Sequence, residues 1–168
     1  MHVPKQRIDI HRADLTNPQD AADVVALLNG YAADPMGGNA PLPAATRARL
    51  APALSELPGA LVLLARAGRT PVGVAVCFTG FSTFRAQPLT NVHDLAVAPG
   101  WRGRGIGGRL LDELVAAARA RGHCKVTLEV REDNAAAMAL YRRLGFGAGQ
   151  SAGEPAQYLF LEKRLADD

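Results

Sequence analysis

The sequence predicts an α/β (α+β) domain: a mixed, largely antiparallel central sheet of about six to seven strands with helices on both faces, in the order β-α-α-β-β-β-α-β-α-β. Three observations predict it. Short apolar or alternating runs of strand length are bounded by glycine and proline turns. Four longer segments carry helical periodicity or helix-boundary residues. Strands and helices neither alternate strictly nor fall into separate blocks, which points to a mixed sheet covered on both sides.

The elements follow in chain order. Residues 6–12 (QRIDIHR) alternate apolar and polar, as a half-buried edge strand does. Thr16-Asn17-Pro18 caps a helix over about 18–29 that Asn29-Gly30 ends. Residues 31–43 hold two glycines and three prolines without periodicity and read as a loop. A second helix spans about 46–57 and stops at Pro58-Gly59. Residues 60–66 and 71–79 are strands joined by a tight turn at 67–70, and 89–97 is a third. In 105–121, Ile106, Leu110, Leu111, Leu114, Val115 and Ala118 form one apolar stripe. A strand at 125–131, a helix at 134–144 ended by Gly145, and a last strand at 157–164 complete the chain.

Length and composition bound the function. A 168-residue chain fits a single domain over 1–168 and buries roughly 70% of its unfolded surface without staples. Its 48% apolar content is too high for disorder. The net charge of +3 is spread along the chain, so no dense basic face marks a nucleic-acid binder. Cys77 and Cys124 lack CxxC partners and read as free thiols in a reducing compartment. No apolar run follows the N-terminal charges and none reaches membrane-spanning length, so neither a secretory leader nor a membrane partner is expected, and the cytoplasm is the expected location.

The sharpest motif is Arg102-Gly103-Arg104-Gly105-Ile106-Gly107-Gly108, which follows a strand and opens a helix. Glycines there let the backbone approach a ligand, and the helix N-terminus adds unpaired N–H donors, so the segment suits a phosphate. Three meanings compete. A ligand-free turn needs one or two glycines, fewer than the four present. Gly103, Gly105 and Gly108 also satisfy a dinucleotide GxGxxG, with Glu129 beyond it, but too little chain follows to complete a two-half doubly wound sheet. The third meaning is an acyl-CoA site.

On this third meaning the segment 89–146 resembles the core of the GNAT N-acetyltransferases. Their cofactor motif, Arg/Gln-x-x-Gly-x-Gly/Ala, is met by Arg102, Gly105 and Gly107. Their second block, Asn-x-x-Ala-x-x-x-Tyr followed by Gly-Phe, is met by Asn134, Ala137, Tyr141, Gly145 and Phe146. The strand 93–97 and Ala98-Pro99 are also similar to the family's. The resemblance implies a core for acetyl-CoA over about 89–146, with the backbone of Leu95, Ala96 and Val97 pairing with the pantetheine arm of a splayed strand. It implies that residues 103–108 hold the pyrophosphate, with Arg102 and Arg104 at the rim, and that Asn134 and Ala137 lie near the pantetheine. A non-catalytic acyl-CoA-binding or sensing domain would share the loop without needing an acid or a base.

Acetyl transfer to an amine requires an amine that loses its proton, a polarised carbonyl and a stabilised leaving thiolate. Tyr141 is the candidate acid, since a phenol of pKa about 10 is protonated at neutral pH. Glu129 is the candidate base. It projects opposite the apolar 126, 128 and 130 face, and ribosomal-protein N-terminal acetyltransferases have a similar Leu-Glu-Val-Arg run. Asp94 and His93 are alternative bases: polyamine acetyltransferases carry two acids at the matching positions, and many relatives place a glutamate where this chain has Asn91. These departures leave the base open. The four histidines and two cysteines show no metal-ligand spacing, and no nucleophile elbow is present, so direct transfer without a metal is expected. The long 31–43 loop suggests a role at the acceptor, with Asp34, Asp94 and Glu129 able to attract a cationic amine. Residues 158–161 (YLFL) suggest a homodimer edge. The acceptor itself, a small molecule or a peptide, is not legible.

Overall fold

The computed structural model describes residues 7–147 and 161–163. The elements are β1 (Ile8–Arg12), α1 (Pro18–Ala33), α2 (Ala44–Glu56), β2 (Ala60–Ala67), β3 (Thr70–Ser82), β4 (Gln87–Val97), α3 (Ile106–Ala120), β5 (Val126–Leu128) and α4 (Ala135–Arg143). A 3-10 turn, Pro99–Trp101, lies between β4 and α3. The strands stand in the order β1-β2-β3-β4-β5, antiparallel except for the parallel pair β4–β5, which α3 connects. The expected mixed sheet is present, with five strands among the described residues rather than six to seven. Of the strand expected over 157–164, only 161–163 are described and they carry no regular structure. The rest, including 158–160 of the expected dimer edge, lies outside the described residues.

Residues 61–65 on β2 alternate between two cores. Leu61, Leu63 and Ala65 meet Ile106, Leu110, Leu111 and Leu114 of α3 on one face. Val62 and Leu64 meet Val24 and Leu28 of α1 and Leu54 of α2 on the other. A side chain at Gly73 would meet Ile106 and Leu110 at 3.1 Å, so glycine lets α3 lie directly on β3. Asn17 begins α1 by accepting hydrogen bonds from the Gln19 and Asp20 N–H groups, with Pro18 at the first helical position. The helix does not end at Asn29-Gly30, as the sequence suggested, but continues to Ala33. Tyr31 therefore belongs to the last turn of a helix and not to a loop.

Behind α1 lies a buried charge network. Arg66 of β2 reaches Asp20 at 2.8 Å and also Asp23, both nearly buried on α1. Burial alone would raise the Asp20 pKa, but the Asp14 N–H at 2.9 Å, Arg66 and His11 outweigh it and hold the carboxyl below its ordinary range. Arg66→Ala strands two buried carboxylates and is expected to cost about 3 kcal/mol, near the low end for a buried pair, because the Arg66 side chain keeps 17% exposure. A lowered folded pKa means that the contribution exists above the unfolded value and is lost as pH falls through the folded one. Denaturant melts should therefore show the gap to wild type at neutral pH and its narrowing in acid below about pH 4.

Candidate active site

The site begins with an irregularity in β4. The strand pairs with β3 as far as Val97, opposite Gly73, but with β5 only at Thr90, Asn91 and Val92. Beyond Val92 the two parallel neighbours part. The register with β3 also slips: Val76 faces Asp94 and Cys77 faces Val92, so His93 is an extra, bulged residue. Regular alternation would place Val92 and Leu95 on opposite faces, yet both pack on the α3 side. Ala96 packs on the α1 side, and Asp94 shares its parity.

A cavity of about 700 Å³ occupies the split. Tyr31 and Met36 line it from the α1 side, His93 and Leu95 from β4, Glu129 from the segment after β5, and Asn134, Ala137 and Tyr141 from α4. Since α1 and α4 pack on opposite cores, the cavity runs through the sheet.

At the far end of β4 lies the glycine loop. Gly103 and Gly105 have φ of +73° and +79°, and nothing stands within 4 Å of a side chain at either, so glycine is required by backbone conformation and not by space. Gly105 caps α3 without any side-chain hydrogen bond, which leaves the first helical N–H groups available to an anion. Gly107 serves differently: a side chain there would lie 3.3 Å from Leu140, so its absence lets α4 rest on the first turn of α3. Gly108 likewise would meet Leu140, at 3.7 Å, and Ile106 is buried in the core. The Arg104 guanidinium stacks 4.7 Å from the centre of the Trp101 ring. Arg102 donates through Nε to the Val97 carbonyl at 3.1 Å and through Nη2 to Asp34 at 2.8 Å.

Of the remaining candidates, Tyr141, Asn134 and His93 line the cavity, and Asp94 is not among its lining residues. Tyr141 is half-buried and edge-on to Phe146, with ring centres 5.9 Å apart. Burial first, then Tyr31, push its phenol pKa up. Asn134 caps α4 by accepting from the Ala137 N–H at 3.1 Å. Burial raises the Asp94 pKa, and His93 pulls it partly back. His93 is exposed, its ring 5.4 Å from that of Phe78. Asn91 donates to Thr127 across the β4–β5 pair at 3.1 Å. Cys77 is buried, and burial with Asp94 nearby pushes its thiol up to about 12, which leaves no thiolate nucleophile there.

Two expectations change. The strand expected over 125–131 ends at Leu128, so Glu129 is an exposed residue at the cavity rim and does not project from a central strand. Arg131, two residues on, pairs with Asp133 at 2.7 Å. Asp34 does not face the cavity: hydrogen bonding from Arg102, then from the Met36 N–H, holds its carboxyl below the ordinary range. Tyr31 and Met36 were not foreseen. The Val24, Leu28, Tyr31 spacing continues the buried stripe of α1 and was the available signal for Tyr31.

Among the described residues, no group of three or more His, Cys, Asp or Glu is placed to hold a metal ion, and no helix is long and apolar enough to cross a membrane. Comparison with known proteins complements the geometry. N-alpha-acetyltransferase RimI of Mycobacterium tuberculosis is 50% identical over 84 residues, 49% of this chain and 49% of that protein. An uncharacterized N-acetyltransferase of Methanocaldococcus jannaschii is 36% identical over 77 residues, 45% of this chain and 34% of its own length. The chain thus spans about half or less of the length of these curated relatives. In fold it is similar to the crystal structure of a ribosomal-protein-alanine N-acetyltransferase from Brucella melitensis, with a TM-score of 0.70 at 23% identity, covering 93% of this chain and 100% of that one. It is also similar to the aminoglycoside N-acetyltransferase AAC(6')-Iy in complex with CoA, with a TM-score of 0.73 at 16% identity, covering 96% and 99%. Residues 26–146 match the model of the acetyltransferase (GNAT) family, and the chain belongs to that family.

Proposed function

We propose that this chain transfers an acetyl group from acetyl-CoA directly to a primary amine of a peptide or small molecule. The observation that carries this is the parting of β4 from β5 beside an uncapped helix N-terminus. On the side away from β3, the Leu95, Ala96 and Val97 stretch of β4 has no strand partner among the described residues, and such an edge pairs with an amide-bearing chain as an added strand would, with the Val97 carbonyl held by Arg102. The residues fit the cosubstrate: the open N–H groups at 103–108 suit its pyrophosphate, Arg104 supplies charge at the rim, and Asn134 and Ala137 border the arm. Acetyl-CoA supplies the activated thioester.

The residues of the chain do the rest. The amine nitrogen forms a bond to the acetyl carbon while the carbon–sulfur bond breaks. Tyr141 donates its phenolic proton to the departing sulfur. Glu129, at the rim of the same cavity, takes the amine's proton directly or through water. Asp94, raised by burial, and His93 stand on β4 as the alternative bases. The acceptor enters from the α1 side, past Tyr31 and Met36.

Two measurements test this. CoA at 100 times its Kd should add about 2.7 kcal/mol of stability and raise the melting temperature by several degrees. Thiol release from acetyl-CoA should then appear with one amine class among alanine-terminated peptides, polyamines and aminoglycosides. A thermal shift without release from any amine would leave a CoA-binding domain and no transferase.

A further inference from the structure

Arg102 and Asp34 are 68 positions apart, and the sequence suggests separate partners for them, a cofactor phosphate and an acceptor amine. In the structure each uses its polar atoms on the other and on its own surroundings. Both Asp34 carboxylate oxygens are engaged, Oδ2 by Arg102 at 2.8 Å and Oδ1 by the Met36 N–H at 2.9 Å. Arg102 spends its other contact on the Val97 carbonyl at the end of β4. Its charge is thus paired with the loop after α1.

That loop has few other ties. The Asp34 N–H donates to the Tyr31 carbonyl, and the Gly37 and Asn39 N–H groups donate to the Asp34 carbonyl. The N–H groups of Gly38 and Ala40 reach Ala32, and that of Leu42 reaches Asn29. All of these lead back to α1 or to Asp34 itself. Among the described residues, the Arg102 contact is the hydrogen bond that crosses from this loop to the β4 end. Tyr31 and Met36, on either side of Asp34, line the cavity.

We propose that Asp34 is a positioning residue which, through Arg102, couples the cofactor loop to the acceptor-side wall carrying Tyr31 and Met36. This rests on the acetyl-transfer reading for the identity of the two ligands. A ligand that fixes residues 97–103 narrows the freedom of Arg102, hence that of Asp34 and of the loop it caps. By reciprocity, an acceptor that steadies Tyr31 and Met36 favours the cofactor. Half of the Arg102 side chain is exposed, so the coupling is modest.

Hydrogen exchange at residues 36–40 tests the clasp without an acceptor. Asp34→Asn, Arg102→Gln and the double variant are compared, with CoA as the ligand. Asparagine keeps an oxygen for the Met36 N–H, so the loop survives the change. Each single variant should speed exchange by about two- to fivefold, in the range of exposed pairs, and the double variant no further than either. CoA should slow exchange at 36–40 in the wild type and not in Asp34→Asn, while raising the melting temperature of both. Additive effects of the two singles, or equal slowing by CoA in Asp34→Asn, would overturn the proposal. If CoA shifts nothing even in the wild type, the cofactor reading fails, and the ligand-free comparison of single and double variants still decides the clasp. With a working acceptor, the rise in its KM caused by Asp34→Asn should vanish in the Arg102→Gln background, whereas a direct amine-binding role would leave it intact.

Discussion

Gly105→Val is expected to abolish the rise in melting temperature that CoA produces while leaving a folded protein. At φ +79° the residue caps α3 in the left-handed region, where a β-branched side chain is an outlier. Nothing lies within 4 Å of the new side chain, so the penalty is backbone strain and not collision. A strain of about 2 kcal/mol would lower the melting temperature by roughly 4–8 °C for a chain of this size. Whatever part of that strain the loop sheds by rotating its peptide planes turns the donors of the first helical turn off their common target. Calorimetric titration with CoA should show affinity down by at least about 100-fold, equivalent to about 2.8 kcal/mol. An unchanged CoA shift in this variant would remove the loop from the site. Gly107→Val makes an informative contrast, because its side chain would press on Leu140 and so on the helix that carries Tyr141. It is expected to damage turnover more than CoA affinity.

Tyr141→Phe is expected to lower kcat by about 100-fold, the low end for a lost general acid, with little change in either KM. The split between constants follows from timing, since the hydroxyl matters only as the sulfur acquires charge. The ring itself remains packed against Phe146, so the melting curve should barely move. The pH profile carries a signed expectation. Burial and Tyr31 raise the phenol above its ordinary value, so the acid stays protonated through pH 9 and no basic limb below about pH 10 belongs to it. Glu129→Gln should behave differently: its deficit is largest at neutral pH and shrinks as the amine deprotonates unaided. Steady-state kinetics from pH 6 to 10 on the two variants separates an acid from a base, and a Tyr141→Phe enzyme of wild-type kcat would sink the assignment.

The parts of the site that were legible in the sequence are those whose chemistry is local. Gly103 and Gly105 announce a backbone conformation that other residues resist, and Asn134 with Ala137 and Tyr141 announces a capped helix with one face set aside. What escaped depends on distant partners. Asn29 and Gly30 both favour termination of α1, but packing of Tyr31 against the Val24–Leu28 core carries the helix another turn. The length of β5 is decided by where β4 leaves it, which no property of Glu129 or Val130 records. The Asp34–Arg102 pair joins two segments that each looked complete.

The bulge at His93 has a consequence for how β4 tolerates change. A strand normally assigns each side chain to a face by odd or even position, and one additional residue exchanges the assignments for everything downstream. Removing any residue at this point would swing Leu95 and Val97 under α1. It would bring Ala96 round to the opposite side and turn the carboxylate of Asp94 toward the α3 core. A substitution at His93, exposed as it is, disturbs none of that. What the strand register demands there is a number of residues rather than an imidazole, so the fold constrains the length of β4 at a point where it leaves the side chain to the cavity.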